Sequence, residues 1–487
     1  MGHSLHDMKT QSARTLRHRR LARVARLMLL LAVPHLAGAV EFAAPPKHAV
    51  AITDVTVVDV RQDRVSRPRT VIVDDGRITA IGGSDQVPAG AQRVDGHGKF
   101  LIPGLVDMHV HLFNLSSHRA PNDWTFPLYV ANGVTAVREM HADAESMTQV
   151  VRWRKAFEAG ELVAPRILAA GIAVDGKSPA DAARDVDAAA AAGADFIKVF
   201  SEVPEPRWRA ILEAARKRWL PVVGHAPAGL SLLASADGGQ RSNEHLMQAY
   251  EACSTVEKQL LADRQGLEGD ALNAKRDAQE VQALAAFDRD VCRRVARALA
   301  ATGQAQVPTL VLANEDTLAA GGPPSADPRW RYLRADEHPR WETFLRGYTA
   351  QDAALAEQRW PVARKIVLEM HLARVPIMTG TDAPMPGVYP GFSVHEEMAM
   401  LVESGLSPKD ALRAATLAPA KFLGMAGAAG SVEVGMRADL VLLDADPTRD
   451  IRNTRRISAV LLDGRLLRRA DLDALLEGAA AKAAASH

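Results

Sequence analysis

Between Pro103 and Leu423, short β-rich runs alternate with helical stretches, and no other feature constrains the fold of this chain as tightly. Strands joined through helices pair in parallel, because each connection must cross back over the sheet before the next strand begins. Eight runs qualify as strands: 105–111, 134–140, 166–172, 196–200, 221–225, 242–246, 307–312 and 377–381. Segments 144–159, 179–192 and 206–219 carry helical patterns between them. The second opens on Pro179, at a first-turn position where a missing N–H does no harm. The prediction is an α/β chain built on a (β/α)8 TIM-like barrel. Segment 247–306 is charged, mostly helical and too long for one barrel helix, so it reads as an insertion. A lid or an oligomer contact are the roles open to it, the second making the chain a homo-oligomer. Gly321-Gly322-Pro323-Pro324-Ser325 marks an irregular loop after the seventh strand.

Both flanks have a β rhythm. Ile52 to Val58 and Val71-Ile72-Val73 are rich in β-branched residues, with Asp75-Gly76 and Gly82-Gly83 as turns. The rhythm returns in Leu440-Val441-Leu442-Leu443 and Ala459-Val460-Leu461-Leu462. The simplest arrangement is a small β-sandwich domain made from both chain ends, 47–103 and 428–475, with the barrel, 104–427, inserted between them. Before it, residues 1–39 have the order of an export signal. Arg14, Arg17, Arg19, Arg20, Arg23 and Arg26 lead into a short apolar core and then Ala37-Gly38-Ala39. That core is too short to span a bilayer. The expectation is a cleaved signal, a periplasmic or secreted protein and no stable membrane span after cleavage. An exported chain can oxidise Cys253 and Cys292, its two cysteines, to a single bridge. A net charge of +1 and 5% aromatic residues argue against a nucleic-acid partner, which needs a basic field and stacking platforms. A small-molecule substrate is the partner expected.

The chemistry concentrates at strand ends. His109 and His111, spaced i, i+2 in the run 103–111, project from one face of a strand. His225 and His245 close or follow the fifth and sixth strands, and Asp382 follows the eighth. Lys198 sits within Phe196-Ile197-Lys198-Val199-Phe200, where a cation has no business without a partner. A lone lysine there can snorkel to solvent. With five metal-competent partners the alternative is a carbamate, formed when a desolvated amine of depressed pKa reacts with CO2. The C-terminal strand ends of a barrel converge, so six residues far apart in sequence meet in one place. Glu139 and His141 at the end of strand two, and Tyr389 after strand eight, are candidate substrate-binding residues. His118 is a weaker candidate, His395 a candidate for the mouth, and His371 reads as structural.

These residues, with the strand entry Phe100 to Asp107 and the return Gly435 to Asp444, resemble the amidohydrolase superfamily. The likeness is to its binuclear form with a carboxylated lysine, in the prolidase-like and imidazolonepropionase-like branch. The resemblance implies that His109, His111 and Asp382 hold one metal and His225 and His245 the other, bridged by the CO2-derived carbamate on Lys198. It implies two divalent ions, with nitrogen and oxygen donors that favour Zn2+. It further implies attack by a metal-bridged hydroxide on an amide-type C–N bond, with Asp382 as general acid and base. Dipeptides, N-acyl amino acids and cyclic amides are the implied substrates. Ester or lactone hydrolysis at the same site is the alternative, and a non-catalytic metal-binding scaffold a further one. Segment 226–241 departs from the pattern: it lacks the polar segment that helps relatives hold a substrate carboxylate. Arg241 is available, but before strand six, at the wrong end of a barrel.

Overall fold

The computed structural model describes residues 47–62, 64–114, 120–313 and 323–486. The expected export segment, His118 and Gly321-Gly322 lie outside the described residues. Strands β1 (Val50–Asp59), β2 (Arg64–Val65), β3 (Arg69–Asp74), β4 (Arg77–Gly82), β5 (Gln92–Asp95) and β6 (Phe100–Pro103) come first. The barrel follows with β7 (Leu105–Val110), β8 (Val134–Ala142), β9 (Arg166–Ala173), β10 (Phe196–Val199), β11 (Val222–Gly224), β12 (Ser242–Glu244) and β13 (Ala305–Val307). Then β14 (Leu440–Leu443), β15 (Ile457–Leu462) and β16 (Arg465–Arg468) return to the first group.

Those outer strands form one mixed sheet in the order β16-β15-β14-β6-β1-β3-β4, with β2 and β5 also paired to β1. The two flanks meet where β14 runs antiparallel to β6, Leu440 opposite Pro103 and Leu443 opposite Phe100. Strand β1 serves two neighbourhoods: Val50 to Thr53 pair with β5, Thr56 and Val57 with β6. Side-chain alternation then sorts the core. Leu440, Leu442 and Leu461 join Ile52, Val55 and Val71 in the sheet's own apolar cluster. Val441, Leu443, Val460 and Leu462 face the other way, into the main core beside the barrel.

The barrel strands are parallel, in the order β13-β12-β11-β10-β9-β8-β7. Segment 377–381, expected as strand eight, closes the gap without becoming a regular strand. It makes only isolated parallel bridges, Gln306 to Ile377 on one side and Val110 to Ala383 on the other. Met378 N–H donates to Gln306 O, and Met108 N–H to Thr379 O, each at 2.9 Å. Two local causes interrupt it. Asp382 takes a left-handed backbone, φ 68°. Gly380 lies so close to Val307 and His109 that a Cβ there would strike both. The expected strand 307–312 also needs correction. Strand β13 stops at Val307, because Pro308 has no N–H for a ladder and Thr309 is left-handed at φ 48°. Residues Leu310–Leu312 form a 3-10 turn instead.

Helices follow strands where their caps place them. Ala144–Ala159 starts where the Asp143 side chain accepts from Ser146 N–H, and Pro179–Ala191 where Ser178 accepts from Asp181 N–H. The long connection after β12 holds helices Ala249–Ala252, Glu257–Ala262 and Gly269–Ala285, then Arg289–Thr302. This last helix buries Cys292, Val295, Ala296 and Leu299 and leads into β13. A disulfide joins Cys253 to Cys292 across the connection. Among the described residues no helix is long and apolar enough to cross a membrane.

Candidate metal centre

Every expected ligand stands at the C-terminal end of its barrel strand. His109 is in β7 and His111 just beyond it, Lys198 is in β10, and His225 and His245 directly follow β11 and β12. Asp382 ends the closing segment. The ring centroids of His109 and His245 are 4.5 Å apart, those of His225 and His245 5.0 Å, and those of His109 and His111 5.5 Å. Asp382 Oδ1 lies 2.8 Å from His111 Nε2 and 3.1 Å from His109 Nε2. His109, His245 and Asp382 each offer a donor atom within 4.8 Å of the others. Lys198 is 1% exposed, with its ammonium 4.8 Å from the Phe200 ring centre, and Phe200 stacks edge-on against His225. The lysine therefore does not snorkel to solvent.

The donor set fits a metal on an observation independent of motif. His109 Nε2, His111 Nδ1 and both ring nitrogens of His225 are buried without a hydrogen-bond partner. A buried polar atom left unpaired costs about 1–3 kcal/mol, so unpaired nitrogens on three neighbouring histidines fit a group that would take them. Imidazole nitrogen and carboxylate oxygen without thiolate suit divalent ions of the zinc and manganese kind.

A layer behind these groups sets their protonation. His109 Nδ1 is 3.0 Å from Glu244 Oε2, which also accepts from Arg138 Nη2 at 2.9 Å. Ser242 Oγ donates to Glu244 Oε1 at 2.5 Å, and Arg138 Nε to Met108 O at 2.5 Å. Glu244 accepts the Nδ1 proton of His109, which leaves Nε2 as the donor atom. Thr309 does the same for His245: its hydroxyl donates to Pro308 O and accepts from His245 Nδ1 at 2.7 Å. Asp107 ties β7 to the closing segment, accepting from Thr381 N–H at 3.0 Å and Thr381 Oγ1 at 2.5 Å.

The electrostatics follow from this burial. Desolvation pulls His111 down to about 4 and His245 to about 3, and lowers His225 well below the usual imidazole range. These rings are neutral at pH 7, as metal ligation requires. Desolvation likewise lowers the Lys198 ammonium, moving it toward a nucleophilic amine. Burial opposes ionisation of Glu244, but Arg138 and His109 outweigh it and hold the carboxyl at about 2. Asp382 is held well below the carboxylate range, since His109, His245 and His111 overcome its desolvation.

Not every candidate reaches the centre. Glu139 is fully buried and both its oxygens accept backbone amides, Leu112 N–H at Oε2 and His141 N–H at Oε1. The Leu112 contact ties it to the loop after β7, and burial pushes its carboxyl up to about 7. His141 is half-buried, its ring 5.1 Å from Phe200 and 6.4 Å from His111. Tyr389 is buried against Trp341, with the Arg329 guanidinium 4.4 Å over its ring and its hydroxyl without a hydrogen-bond partner. His395, a candidate for the mouth, is buried between Thr454 Oγ1 and Asn132 O, a structural role. Arg241 is exposed at the start of β12, the opposite end of the barrel. Sequence reasoning missed Arg138, Glu244, Asp107 and Thr309. For the three charged residues the signal was charge inside strand runs, as in Val137-Arg138-Glu139 and Asn243-Glu244-His245; Thr309 had none.

Beside His245 a cavity of about 300 Å3 opens between the inserted helices and helix Ala350–Leu372. Gln248, Arg276, Thr309, Arg359 and Trp360 share its wall with His245. A barrel whose strand ends gather neutral imidazoles, a carboxylate and a buried lysine beside such a cavity defines a metal-dependent enzyme class. Residues 100–467 match the amidohydrolase family, and the chain belongs to that family. The fold is shared with a Bifidobacterium longum protein assigned as a prolidase, at 25% identity and TM-score 0.62, covering 89% of this chain and all of that one. A bottromycin amidohydrolase superposes with TM-score 0.69 at 24% identity, over 91% of this chain and 93% of its own. Curated relatives match only in short stretches. An imidazolonepropionase from Mycolicibacterium smegmatis is 39% identical over 61 residues, 12% of this chain and 15% of its own length. A deacetylase from Agrobacterium fabrum is 48% identical over 44 residues, 9% of this chain and 11% of its own.

Proposed function

We propose that this chain is an exported, binuclear metal-dependent hydrolase of an amide-type C–N bond. Dipeptides, N-acyl amino acids and cyclic amides are the substrate classes. The observation that carries this reading is the set of buried, unpartnered ring nitrogens of His109, His111 and His225 at the strand ends, beside a buried Lys198. Membership of the amidohydrolase family supports it, as do relatives named prolidase, imidazolonepropionase and deacetylase. His109, His111 and Asp382 would hold one ion and His225 and His245 the other, and the Lys198 amine, once carboxylated, would add an anionic oxygen donor. Divalent ions held there, Zn2+ by preference, acidify water and polarise a carbonyl. Asp382, ionised in its histidine surround, accepts a proton at its carboxylate from the attacking water and passes it to the departing nitrogen. The Cys253–Cys292 disulfide supports an oxidising compartment, in keeping with export.

The test is amine release from a library of dipeptides and N-acyl amino acids by the metal-loaded mature protein, with Asp382→Asn as control and metal content measured alongside. The expected result is two ions per chain, release that needs Asp382, and fewer than two ions retained by Lys198→Ala. Two bound ions with no release from any amide, linear or cyclic, would sink the amide reading and favour esters or lactones.

A further inference from the structure

The cavity beside His245 has its own charge arrangement. Its acids are largely spoken for. Glu251 pairs with the buried Arg264 at 2.9 Å, and Glu280 with Arg359 at 2.7 and 3.1 Å. Asp277 is 64% exposed and turned to solvent. Arg276, from helix Gly269–Ala285, is the exception among the cavity's charges. Its side chain is 17% exposed. Nε and Nη2 share a single Asp277 oxygen, at 3.0 and 2.8 Å, an exposed contact of little worth. Its Nη1 rests on neutral partners, Ser201 Oγ at 2.8 Å and Met247 Sδ at 3.9 Å.

Those two partners locate the guanidinium. Ser201 is three residues past Lys198 on the end of β10, and Met247 two past His245 on the end of β12. The insertion therefore delivers one cation to the rim of the metal centre, inside the cavity that His245 lines. A guanidinium there matches a planar carboxylate with parallel N–H donors, which no lysine or neutral group does as well. Arg241, the other arginine open to this task, lies at the opposite end of the barrel.

We propose that Arg276 anchors a carboxylate of the substrate, so that the site selects dipeptides and N-acyl amino acids over neutral and cyclic amides. This rests on the amide-hydrolase reading and narrows it. The inserted helices then set specificity, while the strand ends supply the chemistry.

The experiment uses the metal-loaded mature protein and pairs of N-acetyl amino acids and dipeptides, each with its carboxamide. Wild type is expected to favour the carboxylate in kcat/KM by about 10–100-fold, the range for a charge-assisted contact. Arg276→Met is expected to raise KM for the carboxylate with kcat little changed and to erase that preference. Arg276→Lys keeps part of it, and Arg293→Met, on helix Arg289–Thr302 and outside the cavity wall, leaves it intact. Binding of N-methanesulfonyl-leucine and its carboxamide, which resist hydrolysis, gives the same comparison without turnover. No preference in wild type, or a preference that survives Arg276→Met or is lost in Arg293→Met, overturns the anchor while leaving amide hydrolysis standing. An Arg276-dependent binding preference without cleavage of any amide overturns the amide reading and leaves the anchor.

Discussion

The mixed sheet and the open end of the barrel are built from similar strands, yet they dispose of polarity in opposite ways. The sheet's cluster is wholly apolar, and charge is kept to its rim, where Asp463 gathers Lys47, Arg166 and Arg465 within 2.8–3.0 Å. The barrel end buries His109, Lys198, Glu244 and Arg138 and leaves ring nitrogens unpaired. It also holds His245, Thr309 and Asp382 in left-handed backbone, φ 59°, 48° and 68°. Such residues cost about 1–3 kcal/mol each when they carry a Cβ. The sheet has left-handed residues too, Asp54, Asp75 and Asp463, but at a bulge in β1 and at turns, away from its apolar cluster, which supplies stability. The barrel end violates several local rules, and the violations coincide with the groups that carry chemistry.

Four substitutions test that contrast. Asp382→Asn should lower kcat by about 10²–10⁴-fold, the loss expected for acid–base catalysis. Steady-state rates with measured metal content would show it, and unchanged turnover at full metal loading would remove Asp382 from the mechanism. Glu244→Gln leaves Arg138 buried without its counter-charge. It should cost about 3–5 kcal/mol in denaturant unfolding and weaken metal affinity about 10–100-fold by releasing the His109 tautomer. A stability loss with unaltered metal affinity would make the pair purely structural. Leu442→Ala, deep in the sheet cluster, should cost about 2–5 kcal/mol with kcat/KM unchanged below the melting range. A large kcat change there would show that sheet and site are not separable. Tyr389→Phe removes a buried hydroxyl that has no partner and should stabilise the fold by about 1 kcal/mol without moving KM. A raised KM would instead return Tyr389 to the substrate pocket.

Much of the barrel was legible because strand and helix periods are local properties. Helix Ala144–Ala159 falls where its pattern places it, and β7 to β12 lie within a few residues of their runs. The seventh and eighth runs were less legible. Apolar composition does not reveal that Pro308 and Thr309 stop one ladder, or that Asp382 turns left-handed at the end of the other. The six candidate ligands could be read because each occupies a strand end, and parallel strands in a barrel share one end. For Glu139, alternation says which face the side chain takes, not that backbone amides at Leu112 and His141 each take one of its oxygens.

By itself, the sequence determined the α/β alternation, the return of the C-terminal strands to the N-terminal ones, and the convergence of His109, His111, Lys198, His225, His245 and Asp382. Only the tertiary structure decided which groups stand behind them. Arg138 meets Glu244 across 106 residues, Asp107 meets Thr381 across 274, and Arg276 reaches Ser201 from 75 residues away. The physical reason is that a strand's period fixes direction but not neighbours. Neighbours depend on register and closure between segments distant in the chain, and those are settled only when the whole barrel packs.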